Sequence, residues 1–189
     1  MKITYEISLL NSSRRVVEER KGKAKSLLEN YYLAFYRCLS ESSVSLTDTS
    51  GASFTPPLTY YKCFSGDFVR KFGELKAPEG DSNYGILIGT SDVSPSPSDA
   101  DLYQKFSCHP LSTIVSDVYL EGSNPAFHVI REFENDVEEV AIKEFGLVAK
   151  IIKDVSAGDY RYVLLLRDVV TPIAFPLDYS LRVKIKFSF

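Results

Sequence analysis

The chain has 189 residues, 44% of them hydrophobic, with 22 Lys+Arg against 25 Asp+Glu, three Cys and no Trp. That length predicts one domain, or one domain with an arm, able to bury about 70% of its unfolded surface without a disulfide or metal. The composition excludes a disordered, collagen-like or disulfide-scaffold protein, and no apolar run reaches the roughly 18 residues of a spanning helix. The start, MKITYEISLL, is too short and too polar for a signal peptide. The near-balanced charge argues against field-driven attraction to nucleic acid or an anionic membrane. Locally, Arg14, Arg15, Arg20, Lys21, Lys23 and Lys25 are basic, as the solvated side of a hairpin and a helix start would be. Cys38, Cys63 and Cys108 are odd in number and widely spaced, which predicts free thiols rather than a disulfide framework.

Ile3, Tyr5, Ile7 and Leu9 alternate with polar residues, the period of a half-buried strand. Asn11-Ser12-Ser13 then turns the chain so that Arg15 to Glu19 returns alongside. From Lys23 to Ser40, Leu27, Leu28, Tyr31, Tyr32, Phe35, Cys38 and Leu39 follow the 3–4 spacing of an amphipathic helix capped near Ser26 and packed across a sheet. SVSLTDTSGASFT reads as two short strands around an Asp48–Gly51 turn. Residues 61–82 carry both signals: Phe68, Phe72 and Leu75 are helix-spaced, whereas Tyr60 to Phe64 is strand-like. GILIGTS is an apolar run flanked by glycines, the pattern of a strand buried on both faces. SDVSPSPSDAD is a loop, and Leu102 to Phe106 is expected to form one helical turn. Ser112–Leu120, Ala126–Phe133, Val140–Ile152 and Arg161–Val170 read as successive strands, with YVLLL implying a central position for the last. Tyr179 to Phe189 alternates without a fault, its lysines on the exposed face.

The polar residues match few catalytic templates. His109 and His128 have no ligand pair at zinc spacing, and Cys108 beside His109 is too little for a metal. No G-x-S-x-G, G-x-x-x-x-G-K or G-x-G-x-x-G occurs. Asp92, Asp99 and Asp101 could offer oxygens to calcium, but their spacing does not match an EF-hand loop. Glu132, Glu134, Asp136, Glu138 and Glu139 crowd an apparent hairpin end. Solvated surface charge explains them better than calcium or a carboxylate pair built around Glu134 and Glu138. The 12 Tyr and 12 Phe suit either a well-filled β core or a binding surface, for which Tyr60, Tyr61 and Tyr119 are candidates.

The ordered set of segments resembles structural proteins of tailed bacteriophages and related prokaryotic viruses. The likeness runs through AKSLLENYYLAFYRCLS and VSLTDTSGASFT, then NYGILIGTSDVSPSPSDADLYQKF, where that family has a G-I-hydrophobic-hydrophobic-G-T strand followed by a loop and a short D-Y-x-L-like element. It continues through FHVIREFEN (R-x-F-x-N), VAIKEFGLVAKI (I-x-E-hydrophobic-G-L) and YVLLLRDVV (L-hydrophobic-x-R-D), and ends on the alternating strand. Residues 56–80 have no counterpart, and Lys150 to Asp159 is longer than the pattern expects.

The resemblance implies a virion protein: a minor tail, collar or capsid-accessory component that is not an enzyme and has no cofactor, metal or catalytic residues. Its partners would be copies of itself and other virion structural proteins, with no nucleic acid and no membrane. The alternative is a carbohydrate- or receptor-binding β module of a viral adsorption apparatus. The expected fold is mainly β with one prominent helix (α+β), an antiparallel β-sandwich or jelly-roll-like body. Residues 1–83 would form a hairpin, helix and second hairpin docked beside a body of 84–189, or continuous with it.

Overall fold

The structure, a computed structural model, describes residues 1–24, 26–40, 43–57, 60–62, 68–70, 73–154 and 158–189. For 35–40, 60–62, 68–70 and 73 it describes the backbone alone. In chain order the elements are β1 (Lys2–Leu10), β2 (Val16–Lys23), α1 (Glu29–Ser40), β3 (Leu46–Thr47), β4 (Ser53–Phe54), β5 (Tyr60–Lys62), β6 (Phe68–Arg70) and β7 (Gly73–Glu74). They continue with β8 (Gly85–Gly89), β9 (His109–Pro110), β10 (Ile114–Val115), β11 (Tyr119–Glu121), β12 (Asn124–Glu134), β13 (Val140–Asp154), β14 (Asp159–Phe175) and β15 (Ser180–Ser188). The fold is mainly β and antiparallel, with one short helix among the described residues.

The larger sheet has the order β10-β12-β15-β1-β2, with β9 and β11 also on β12. Its alternating strands behave as their period requires. Ile3, Ile7, Leu9, Val129, Phe133, Leu181, Val183, Ile185 and Phe187 turn inward, while Lys184 and Lys186 lie on the other face. The second sheet, β14-β13-β7 with β8 on β13, meets that inner face with Ile86, Ile88, Phe145, Leu147 and Leu166. Its own far side is buried too, where Leu87, Val148 and Leu164 pack with Leu28 and Leu102; by alternation Ala149, Ile151 and Val163 turn to the opposite face, where they pack with Leu46 and Phe54. Burial on both faces is why β8 reads as an unbroken apolar run.

Several expectations need correction. The helix begins at Glu29, not near Lys23, because Leu27 bridges Leu166 and the Leu28 N–H donates to Leu165 O at 3.1 Å. This extended segment lies along the free side of β14. β14 is therefore a sheet edge covered by residues 26–28, not a central strand, and YVLLL is apolar because both its faces are packed. The last strand pairs on both sides, between β1 and β12, with its lysines on the face away from the core as expected. Leu102–Phe106 forms no helical turn; Lys105 bridges Gly89 and the Phe106 N–H donates to Ile88 O at 2.9 Å, so the segment runs beside β8. Phe68–Arg70 is a strand paired with β5, while Phe72 lies outside the described residues. β1 pairs with β15 along its whole length, so the first strand belongs to the larger sheet.

The layers are joined by a buried cation. Arg131 has the same inward parity as Val129 and Phe133, and its side chain is fully enclosed. Its Nε donates to Leu111 O at 2.8 Å, Nη1 to Tyr84 O and Ile86 O at 2.8 and 3.1 Å, and Nη2 to Pro78 O at 3.3 Å and to Asp81 O. Burial pulls the guanidinium down to about 10, a shift that Asp81 opposes, so it stays protonated at neutral pH. Arg131→Met strands several carbonyls at once and is expected to cost about 3 kcal/mol or more, lowering Tm by about 6–12 °C in thermal unfolding.

Candidate functional site

Three of the segments quoted above, GILIGTS, VAIKEFGLVAKI and YVLLLRDVV, meet at one place in the fold. Arg167, in β14, donates from Nε to Glu144 Oε2 at 2.7 Å, from Nη1 to Asp99 Oδ2 at 3.0 Å and from Nη2 to Val93 O at 2.8 Å. The Tyr103 ring lies 4.5 Å from its guanidinium carbon. Glu144 uses its other oxygen to accept the Gln104 N–H at 2.9 Å, and Asp99 also accepts the Ser96 N–H at 2.9 Å. The side chains of Arg167 and Glu144 are 0% exposed and that of Asp99 is 5%.

Two glycines make room for this network. A Cβ on Gly89 would stand 2.5 Å from both Gln104 O and Glu144 Oε1, and one on Gly146 would stand 2.6 Å from Leu102 Cδ1. The glycines of the β8 and β13 motifs are thus required by close approach of the 91–106 loop. Every named polar group here is paired with another part of the chain, so the network ties the loop to β13 and β14. It builds structure; it does not present a reactive group.

The other candidate residues do not converge. Asp92 pairs with Lys143 at 3.2 Å on the surface. Asp101 accepts its neighbour's Leu102 N–H, and burial raises its carboxyl above the usual range. Glu132 is held by Arg14 and Arg182, both at 2.6 Å, while Glu134, Asp136, Glu138 and Glu139 are exposed around the β12–β13 turn. Near them, Asn11, Arg14, Glu134, Asp136, Asp178 and Tyr179 border an open groove of about 340 Å³. His109 meets Glu79 at 3.1 Å. Burial pushes the Cys108 thiol up to about 12, so it is protonated at neutral pH. Among the described residues no three His, Cys, Asp or Glu are grouped to hold a metal ion, and no helix is long and apolar enough to cross a membrane. The side chains of Cys38, Tyr60, Tyr61 and Cys63 lie outside the described residues.

What the surface does offer is apolar. Phe127 stacks on buried Phe187 with ring centroids 4.7 Å apart, and Phe189 continues the stack at 6.3 Å from Phe127. Leu120 pairs with Pro125 in the same alternation. Along this inner face exposure climbs from 3% at Phe187 to 54% at Phe189 and 71% at Leu120, with Val118 at 70%. The core face of the larger sheet therefore runs out into solvent at the β11–β12 end. On the opposite face of the same strands, Tyr119 meets His128 edge-on at 5.7 Å. His128 is partly buried, and its Nδ1 is enclosed without a hydrogen-bond partner among the described residues. A distinct depression of about 320 Å³ on the outer face is bordered by Glu6, Lys21, Lys184 and Lys186.

No protein-family model, curated protein or solved structure matches the chain.

Two measurements check this reading. Glu144→Leu leaves Arg167 buried beside one fewer anion, expected to cost about 3–5 kcal/mol; the Glu144→Leu/Arg167→Met double variant loses less than the sum of the singles by about 1 kcal/mol or more in urea unfolding, whereas additivity contradicts the network. Burial, then Lys184 and Lys186, holds His128 below the ordinary imidazole value. Its contribution to stability is therefore intact above about pH 6.5 and is lost as pH falls from there toward the folded value. His128→Phe should flatten that part of the Tm-against-pH curve, widening its Tm advantage over the parent between about pH 7.5 and about pH 5.5.

Proposed function

We propose that the protein is a virion structural component of a tailed virus, a tail, collar or capsid-accessory part acting through self-assembly and contacts with other virion proteins. The observation that carries this reading is the apolar end of the larger sheet, where Val118, Leu120 and Phe189 extend the core face into water. Contiguous exposed apolar residues on a sheet mark an interaction surface more readily than a catalytic one. A repeated particle component needs such surfaces, because each copy must bury area against neighbours. The buried network agrees with this. The polar and glycine residues that make the sequence resemble viral structural proteins hold a loop against a sheet, the requirement of a rigid building block.

The test is co-purification of the full chain with the capsid and tail proteins encoded beside it. Association is expected, and Val118→Asp with Leu120→Asp should abolish it while leaving Tm within about 2 °C, since neither side chain is buried. A chain that binds none of those proteins contradicts the proposal.

A further inference from the structure

Among the described residues β2 is the outermost strand of the larger sheet and pairs only with β1. The Ala24 N–H donates to Ile3 O at 3.1 Å, which fixes the phase of the ladder. By antiparallel alternation Glu18, Arg20 and Gly22 turn their main-chain groups toward β1, and Glu19, Lys21 and Lys23 turn theirs to the open side. The strand is exposed along its length at every second residue, and Val16 and Val17 at its start are 53% and 52% exposed. An edge of this length with free N–H and C=O groups is a template for another strand unless its charges forbid it.

The charges here do not forbid a copy of the same strand. We infer that β2 pairs antiparallel with β2 of a second copy, about a two-fold axis passing through Arg20. This register sets Glu19 of each chain opposite Lys21 of the other, on the outer face, with the outward main-chain groups of both residues in the hydrogen-bonding phase, and the Glu19 carbonyl exchanges its 3.4 Å bond from Arg20 Nη1 for one from the partner strand. Two like charges, the Arg20 side chains, meet at the axis, but each is already neutralised by Glu18 of its own strand at 2.5 Å. Lys21 joins Glu19 at 2.8 Å and Glu6 at 3.3 Å within its own chain, so the dimer would extend an existing ladder of alternating charge across the axis. An edge carrying lysine alone would repel its copy; this one carries both signs at spacings that complement each other. The contact is isologous and continues the sheet through two chains. It deepens the self-assembly reading above by naming the surface that joins copies, separate from the apolar end that meets other proteins.

Sedimentation velocity of the full chain across micromolar concentrations tests it, with a dimer expected. Lys21→Pro removes a donor that faces away from β1, so it should yield a monomer with nearly unchanged Tm. Glu19→Lys should weaken dimerisation about tenfold, and Glu19→Lys/Lys21→Glu should restore it. A chain that is monomeric throughout overturns the inference, as does a dimer that survives Lys21→Pro. Should that variant fail to fold, the charge pair decides: no weakening, or no restoration, also overturns it. A monomeric chain that still co-purifies with other virion proteins would sink this inference alone and leave the proposed function standing.

Discussion

A guanidinium has five N–H donors and no acceptor, so enclosing one obliges the chain to bring oxygens to it from several directions. Among the described residues this protein encloses two. Arg131 gathers carbonyls from residues 78, 81, 84, 86 and 111 around β12, which fixes the approach to β8 and the chain leaving β9. Arg167 gathers Glu144, Asp99 and Val93, which fixes the long loop between β8 and β9. Between them these two side chains hold the irregular half of the fold, where ladder hydrogen bonds are few, against the regular half. Apolar burial supplies most of the stabilisation, as in any sheet protein of this size. The arginines determine which arrangement of loops that burial accompanies.

The regular half was legible in the sequence. β1 and β15 announce themselves by strict alternation, β8 by an unbroken apolar run, and the β3–β4 hairpin by Asp48 and Gly51 at its turn. The Asp48 carboxylate accepts the Ser50 and Ala52 N–H groups there, as an Asx-type turn does. What could not be read was anything decided by a distant partner. Leu27 and Leu28 fit a helical period, yet their main chain pairs with β14 because an uncovered edge there would leave buried groups unsatisfied. Arg131 and Arg167 look like solvent-facing interruptions of apolar strands. For Arg131 the signal was its parity with Val129 and Phe133, which places it inside; for Arg167 no local pattern distinguished burial from exposure, because Leu166 and Asp168 on either side are buried as well.

The candidate interaction surfaces follow from the same split. At the β11–β12 end the inward alternation simply continues: Phe187 is core and Phe189, two residues on, is half exposed. Period alone marks both as inward residues, and only the packing of the second sheet decides which of them is wet. The free side of β2 was likewise hidden, since a hairpin at the start of a chain gives no hint that its first strand will be central and its second marginal. Charge is used differently in the two places. Inside, each ion is surrounded by fixed partners and serves geometry; on β2 and the outer face, ions of both signs alternate in water, where their worth lies in choosing a partner and a register.

The most direct check of an association-based role is residue-level amide exchange of the full chain, followed from dilute to concentrated solution. Slowing with concentration is expected at Glu19, Lys21 and Lys23, whose N–H groups face outward, while Glu18, Arg20 and Gly22 are already protected by β1 at every concentration. Exchange rates that are the same throughout the chain at all concentrations, with Glu19, Lys21 and Lys23 always fast, would contradict a protein that works by joining copies of itself.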